Sequence, residues 1–325
     1  PQLTDVREEL MQLYRELGQT ELAQNELIEI VRQRLAEGEF ETAREIAETQ
    51  VANYPKDIQL RERLADLFFE HQIHEFAARY YMSCADLAAQ EASPEDRIRL
   101  LQKAVEARPR WVEAHQKLVE ACRNANRIID ALNALENLTK LFLDSKRVRE
   151  AVDVLRQRIQ LAPKEVEPRK QLIELLEILG EREQRTVQLQ ELADLYLSLG
   201  QVEEAVEVYR QLVELRPEDP ATLQRYIELF GQVGNELEIL DDYIRLADLY
   251  VKKAQFVEAT RTFERILAID RRQRDNPLRM RVGLEREGVD EIGRGDRPGP
   301  RVRRAMQHAE LRQRLDRQVR AAVEH

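Results

Sequence analysis

Residues 189–217 read LQELADLYLSLGQVEEAVEVYRQLVELRP. On both sides of Gly200 the apolar residues recur at intervals of three and four, which predicts two amphipathic helices joined by a tight turn. Glycine suits the left-handed position just past a helix end, and Pro217 cannot continue a helix, so it closes the second one. A short helix cannot bury its own apolar face, so these two helices must pack against neighbouring helices.

Most of the chain, including this stretch, repeats at a fixed interval, which is the distance from Pro55 to Pro109. The simplest marker is a column of prolines at Pro55, Pro109, Pro163 and Pro217. Apolar columns keep the same step, and two of them run Leu10, Leu64, Leu118, Leu172, Tyr226 and Leu27, Tyr81, Leu135, Leu189, Tyr243. A period of this kind, fifty-four residues long, indicates stacked structural repeats. It predicts five copies of three helices each, at 2–55, 56–109, 110–163, 164–217 and 218–271.

Helix-stopping residues predict the helix bounds within a copy. In the fourth copy the first helix is expected at 166–179, ending at Gly180, and the second at 182–198, ending at Gly200. The third is expected at 202–215, before Pro217 and Pro220.

The stretch 186–219 resembles a tetratricopeptide repeat. The family's large–small pair, aromatic residues, turn glycine, second small residue and closing proline are matched by Leu192, Ala193, Tyr196, Gly200, Ala205, Tyr209, Leu212 and Pro217. The stretches 240–273 and, less closely, 132–165 show the same pattern, whereas Arg97 stands in the column of the small residue. The resemblance implies an all-α fold, a right-handed α-solenoid (a tetratricopeptide-like superhelix) of about fifteen helices. A further C-terminal helix is expected to follow.

One departure from the family leaves the architecture open. Tetratricopeptide repeats have two helices in about 34 residues, whereas this chain has three predicted helices in each of its longer periods. With strict up-and-down packing, three helices per copy make each copy run in the opposite direction to the one before it. The structure then repeats only after two copies. Alternatively, one helix of each copy, the short first one, lies across the others as in armadillo repeats.

The resemblance also implies a function and a binding surface. The family binds extended peptides or helices along a concave face, mostly through polar residues of the first helix of each pair. Carried over by position, the implied partner-binding residues are Asn133, Glu136, Lys140, Asp144, Gln190, Asp194, Ser198, Asp241, Asp248 and Lys252. This face mixes both signs of charge, and the alternative is that its residues are only solvated. The expected function is a non-enzymatic scaffold or adaptor for protein–protein interaction.

Charge separates the last part of the chain from the rest. Residues 271–325 hold 15 arginines, no lysine and 9 acidic residues, net +6, which leaves −16 for residues 1–270. Glycines and prolines predict a linker at 272–300, and apolar spacing predicts an amphipathic helix at 301–325. The candidate contact residues of this basic tail are Arg271, Arg272, Arg274, Arg301, Arg303 and Arg304.

Three interpretations of this basic tail remain. The favoured one is docking on an acidic surface of the same chain or of a second copy, which would promote self-assembly. The second is disorder without a role. The third is contact with nucleic acid, which gives the alternative function of a nucleic-acid-associated adaptor.

Signatures of catalysis are missing from the sequence, which has no nucleotide-binding glycine loop and no Cys-x-x-Cys pair. His71 and His74 are the only clustered histidines and are expected in a turn rather than at a metal. Cys84 and Cys122 fall in apolar columns, which predicts buried free thiols and suits a reducing, cytoplasmic location. No signal peptide or membrane-spanning run is visible. The sequence therefore predicts no enzymatic activity, no cofactor and no metal.

Overall fold

The computed structural model describes residues 2–90, 93–234 and 238–274, and these form fifteen α-helices and no strand. The helices are α1 (Gln2–Glu16), α2 (Thr20–Ala36), α3 (Phe40–Asn53), α4 (Ile58–Glu70), α5 (His74–Gln90), α6 (Pro94–Ala107), α7 (Val112–Asn124), α8 (Ile128–Asp144), α9 (Val148–Leu161), α10 (Glu167–Ile178), α11 (Arg182–Ser198), α12 (Val202–Leu215), α13 (Pro220–Val233), α14 (Leu240–Lys252) and α15 (Phe256–Arg274). The predicted all-α fold and the predicted number of helices are thereby confirmed. The chain divides into two compact units, Pro1–Pro168 and Arg169–His325.

In the first unit the successive helices from α1 to α9 pack against one another in chain order. Helix α2 additionally contacts α4. The core is built mainly of leucine, alanine and aromatic side chains, and Phe68 packs near Phe76 and Tyr80, with ring centroids 4.4 and 6.4 Å away. Burial of these apolar faces is the main stabilising contribution, because helices as short as these are marginal in isolation.

In the second unit α11 to α15 likewise pack in chain order. The bounds of α10, α11 and α12 confirm the three helices predicted for 164–217 to within one residue. Asp219 caps α13, since its carboxylate accepts bonds from the backbone N–H groups of Ala221 and Thr222.

The turn glycines adopt the predicted left-handed conformation. Gly180 and Gly200 have φ of +72° and +74°. After α10, the Glu181 N–H donates to the Leu176 carbonyl, the bond that closes a Schellman cap. Gln72 and Asn126, in the column of Gly180, adopt the same conformation, with φ of 63° and 56°.

Gly234, in the same column, differs because its φ is −118°. A β-carbon there would lie 2.3 Å from the Phe230 ring, so glycine is needed for space rather than for left-handed backbone. The next helix, α14, begins only at Leu240.

The third helix of each successive set of three begins at Phe40, Pro94, Val148, Val202 and Phe256, which keep the same step as the proline column. The assignment of these sets to five copies of one repeat stays a prediction, as does the right-handed superhelix. Helix α15 continues to Arg274, beyond the predicted end at 271, because good helix formers extend up to Gln273 and Arg274 before Pro277. The predicted linker from 275 onwards and the predicted helix at 301–325 lie outside the described residues.

In helix α6, Arg97 stands at the position where the repeat pattern has a small residue in the other copies. Ala43, Ala151 and Ala205 are fully buried in the same column. The Arg97 side chain, 19% exposed, instead reaches towards Glu120 at 3.8 Å. A cavity of about 110 Å³ lies beside it, lined by Ala88 and Ala121 among others. Arginine at this position therefore replaces the buried small side chain of the column with a partly exposed side chain close to a carboxylate.

Candidate protein-binding groove

An open groove lies along helices α10, α11 and α12 of the second unit. Its volume is about 470 Å³. Helix α11 supplies the floor, where Leu189, Leu192 and Tyr196 recur at helical spacing. Helix α10 forms one wall and α12 the other, with Ile173 and Val208 low on each wall. The floor is therefore apolar and is held in place by the buried core behind it.

The rims of this groove are acidic. Glu174 and Glu177 line it from α10, and Glu204 and Glu207 line it from α12. Two cations, Lys170 and Arg185, face these four carboxylates, which leaves a net charge of −2 on the lining.

Both cations of the lining are already engaged. Arg185 pairs with Glu177 at 3.0 Å, and the Lys170 ammonium lies 5.9 Å from the centre of the Tyr196 ring. Glu207 pairs with Arg210 of its own helix at 3.0 Å. Glu174 and Glu207 are both exposed on the rims.

The matching positions of helices α4, α5 and α6, two periods earlier, are instead bridged by charged side chains. Glu62 of α4 accepts bonds from Arg99 and Lys103 of α6, at 3.0 and 2.9 Å. Lys103 also donates to Asp66 at 2.7 Å, and the Tyr81 hydroxyl donates to Asp66 at 2.6 Å. Where α6 carries Arg99 and Lys103, α12 carries Glu207 and Gln211. Helix α12 therefore does not supply the cations with which α6 ties the two walls together.

Hydrogen bonds in this α4–α6 network shift the pKa values of its members. The bond from Arg99 is the largest cause that holds the pKa of Glu62 below its usual 4.5, against the opposing effect of partial burial. Desolvation alone would lower the pKa of Lys103, but its bonds to Asp66 and Glu62 raise that pKa above its usual value. Stabilisation by Glu62 is therefore present at neutral pH and lost as the pH falls through its lowered pKa, whereas that by Lys103 is lost only at strongly alkaline pH.

We expect Glu62→Gln to lower the free energy of unfolding by about 1 kcal/mol at neutral pH, since partly exposed ion pairs contribute little more than this. Below pH 4.5, the usual carboxyl pKa, the difference from the unsubstituted chain should shrink as Glu62 becomes protonated. Urea unfolding followed by circular dichroism over a pH series measures it. Glu45→Gln, at an exposed glutamate of α3, is the control. An equal pH dependence in both variants would contradict a stabilising role for the network.

The residues predicted to bind a partner lie on three helices, α8, α11 and α14. On α8 they are Asn133, Glu136, Lys140 and Asp144, all exposed except for the half-buried Glu136. Glu136 pairs with Lys140 at 2.7 Å and with Arg158 of α9 at 3.5 Å. These side chains are thus partly engaged with one another along the helix.

The second unit carries the rest of this set. On α11, Gln190 donates to the Tyr209 hydroxyl at 3.0 Å, while Asp194 and Ser198 are exposed. On α14, Asp241 and Lys252 are exposed and Asp248 is half-buried. The structure leaves these residues accessible but brings none of them into the lining of the α10–α12 groove.

Sequence reasoning missed the groove because its lining comes from three helices and includes the first helix of the copy, α10. The family resemblance assigns binding to the first helix of each pair and is silent about this extra helix. A usable signal was present in the charge columns, where Arg99 and Lys103 are replaced by Glu207 and Gln211 two periods later.

The histidines and cysteines lie as predicted. His71 caps α4, with its Nδ1 3.0 Å from the Leu67 carbonyl, and the His74 ring contacts Phe69 at the start of α5. Cys84 and Cys122 are buried free thiols, and burial raises the pKa of Cys84 to about 12. Among the described residues, no cluster of three or more metal-ligating side chains is found. Within the same ranges, no helix is both long and apolar enough to span a bilayer.

The described residues include only the first part of the predicted basic tail. Arg271, Arg272 and Arg274 belong to the last turns of α15. Arg301, Arg303 and Arg304 lie outside the described residues.

Family models identify two stretches of the chain. Tetratricopeptide repeat models match residues 187–229 and 243–277. The first match begins within α11 and extends into α13, and the second begins within α14. The resemblance predicted for 186–219 and 240–273 is confirmed, while 132–165 has no such match and stays a prediction. No curated protein shows a significant match to the chain.

Several solved structures share some likeness with the chain. The MamA protein is 19% identical, with 55% of this chain and 94% of that chain covered and a TM-score of 0.20. The apo form of RapI is 11% identical, covering 82% and 99%, with a TM-score of 0.29. A STAND protein with a tetratricopeptide repeat sensor from Pyrococcus horikoshii is 13% identical, covering 85% and 45%, with a TM-score of 0.31.

Proposed function

We propose that this chain, which carries tetratricopeptide repeats at 187–229 and 243–277, is an interaction scaffold that binds a segment of protein in its α10–α12 groove. The observation that carries the proposal is the groove itself, an apolar floor between acidic rims. Its shape and charge fit a chain segment with alternating apolar and basic side chains. The scaffold acts by binding and not by catalysis.

Rigidity is the physical basis of binding at this site. The floor residues Leu189, Leu192 and Tyr196 are each less than 5% exposed, so they are already fixed before a ligand arrives. A preformed surface loses little conformational freedom on binding, and this leaves more of the contact energy as affinity. The acidic rims add electrostatic attraction, which favours cationic partners and speeds their association.

The polar faces of α8, α11 and α14 form a second proposed contact surface. Val187 stands on α11 where α8 has Asn133 and α14 has Asp241, and it is 51% exposed. Its side chain would add apolar contact area to a surface that is otherwise polar. The two buried thiols favour a reducing compartment, and we propose a cytoplasmic location on that basis.

Selection of random phage-displayed peptides on the immobilised full chain tests the proposal. We expect the selected peptides to carry net positive charge together with apolar residues. In fluorescence anisotropy, Glu174→Gln/Glu207→Gln should weaken their binding about tenfold, a loss of about 1.4 kcal/mol. The matched control, Glu183→Gln/Glu203→Gln, removes two exposed carboxylates from α11 and α12 that do not line the groove.

Peptides that bind the rim variant as tightly as the unsubstituted chain would contradict the groove as the site. Loss of binding with Gln190→Ala/Asp194→Ala alone would move the site to the polar face of α11. Failure to select any peptide, combined with salt-sensitive binding of RNA or DNA, would favour the nucleic-acid alternative instead.

A further inference from the structure

We propose that the α10–α12 groove is occupied by the chain's own basic segment, residues 301–325. This inference rests on the proposed function, because it names the ligand of the same groove. The segment would place its arginines against the exposed rim carboxylates, among them Glu174 and Glu207.

Charge complementarity is the first argument. The segment holds seven arginines and three acidic residues, net +4, and no lysine. The groove lining holds four glutamates and two cations, both of which are already engaged by Glu177 and Tyr196. Arginine suits this role because its planar guanidinium can donate two parallel hydrogen bonds to one carboxylate.

The difference between the two sets of helices is the second argument. In α4–α6 the walls supply their own cations, Arg99 and Lys103, and the matching positions are bridged. In α10–α12, Glu207 and Gln211 take the positions of Arg99 and Lys103, and Lys170, at the position of Glu62, is the one cation of the set, so these positions carry an excess of negative charge. Residues 271–325 are the one strongly basic stretch of an otherwise acidic chain.

The length of chain after α15 is the third argument. Helix α15 ends at Arg274 in the same unit as the groove, and residues 275–300 connect it to Arg301. A flexible chain of that length spans roughly 28 Å on average and up to roughly 85 Å when extended. Tethering at such lengths gives an effective concentration on the order of millimolar, which favours the chain's own segment over a second copy.

Hydrogen exchange read by mass spectrometry on the full chain tests the proposal. At low salt, amides of 301–325 should exchange about tenfold more slowly in the unsubstituted chain than in Glu174→Gln/Glu207→Gln. The control Glu183→Gln/Glu203→Gln should retain the protection. High salt should remove the protection from the unsubstituted chain and from the control, since exposed charges are then screened.

Equal exchange in all three chains at low salt would overturn the proposal, and so would protection that the rim substitutions leave unchanged. Protection that increases with protein concentration would place the segment on a second copy and overturn the intramolecular contact.

A second variant separates this proposal from the proposed function. Arg301→Gln/Arg303→Gln/Arg304→Gln should bind the selected peptides more tightly, because a competing occupant has been weakened. If the peptides bind the rim with the same affinity in this variant and in the unsubstituted chain, the groove still binds peptides but is not occupied by residues 301–325. That result would refute the present proposal and leave the proposed function intact.

Discussion

Phe68→Ala is expected to lower the free energy of unfolding by about 3–5 kcal/mol, the cost of removing a large side chain from a packed core. Phe68 of α4 is 0% exposed and packs against Phe76 and Tyr80 of α5. The α4–α5 contact therefore depends on this ring, and its loss leaves a cavity that neighbouring helices fill only in part. The midpoint of urea unfolding, followed by circular dichroism, measures the effect.

The adjacent residue provides a matched control. Phe69 is half-buried and its ring contacts His74 in the turn, with centroids 5.1 Å apart. Phe69→Ala should cost clearly less than Phe68→Ala because less apolar area returns to water. Equal losses for the two substitutions would contradict the assigned packing of α4 against α5.

Ala205→Leu is expected to lower the free energy of unfolding by about 1–3 kcal/mol, through overpacking. Ala205 of α12 is fully buried and is the small residue of the predicted repeat pattern. Three extra carbon atoms have no room there unless the helix moves away from its neighbour. In α6 the same column holds Arg97, whose side chain is partly exposed and reaches towards Glu120 of the next helix instead of being buried.

The control for this second substitution is Ala221→Leu, at an exposed alanine in the first turn of α13. Its effect should stay within about 0.5 kcal/mol, as expected for surface positions. Thermal unfolding of both variants provides the comparison. An Ala205→Leu variant as stable as the control would show that close helix approach at this column is not required.

Much of the fold could be predicted from local chemistry. Gly180 and Gly200 mark helix ends because the left-handed backbone costs glycine least, and Pro217 marks another because it cannot donate a helix hydrogen bond. Gln72 and Asn126 occupy the same conformation without being glycine, so the period had to be read from the whole column.

The groove could not be predicted in the same way. Its charge depends on which side chains of α10 and α12 face each other across α11, and sequence spacing does not give that arrangement. Opposite charges at Glu62 and Arg99 are bridged, whereas the matching pair in the second unit is reversed in sign, with Lys170 on α10 and Glu207 on α12. How these side chains face each other depends on tertiary packing, which the family resemblance does not specify. The predicted partner-binding face of α8, α11 and α14 stays a prediction, as does the position of residues 301–325.

The claim that the acidic groove is occupied by a cationic segment is tested most directly by carboxylate labelling. The full chain is treated with a carbodiimide and an amine, and the labelled positions are identified by mass spectrometry. At low salt Glu174 and Glu207 should label more slowly than Glu183 and Glu203, which are also exposed but lie off the groove. At high salt the two pairs should label at the same rate, because screening releases the basic segment. Equal labelling of both pairs at low salt would contradict the claim that these rims bind a cationic segment of protein.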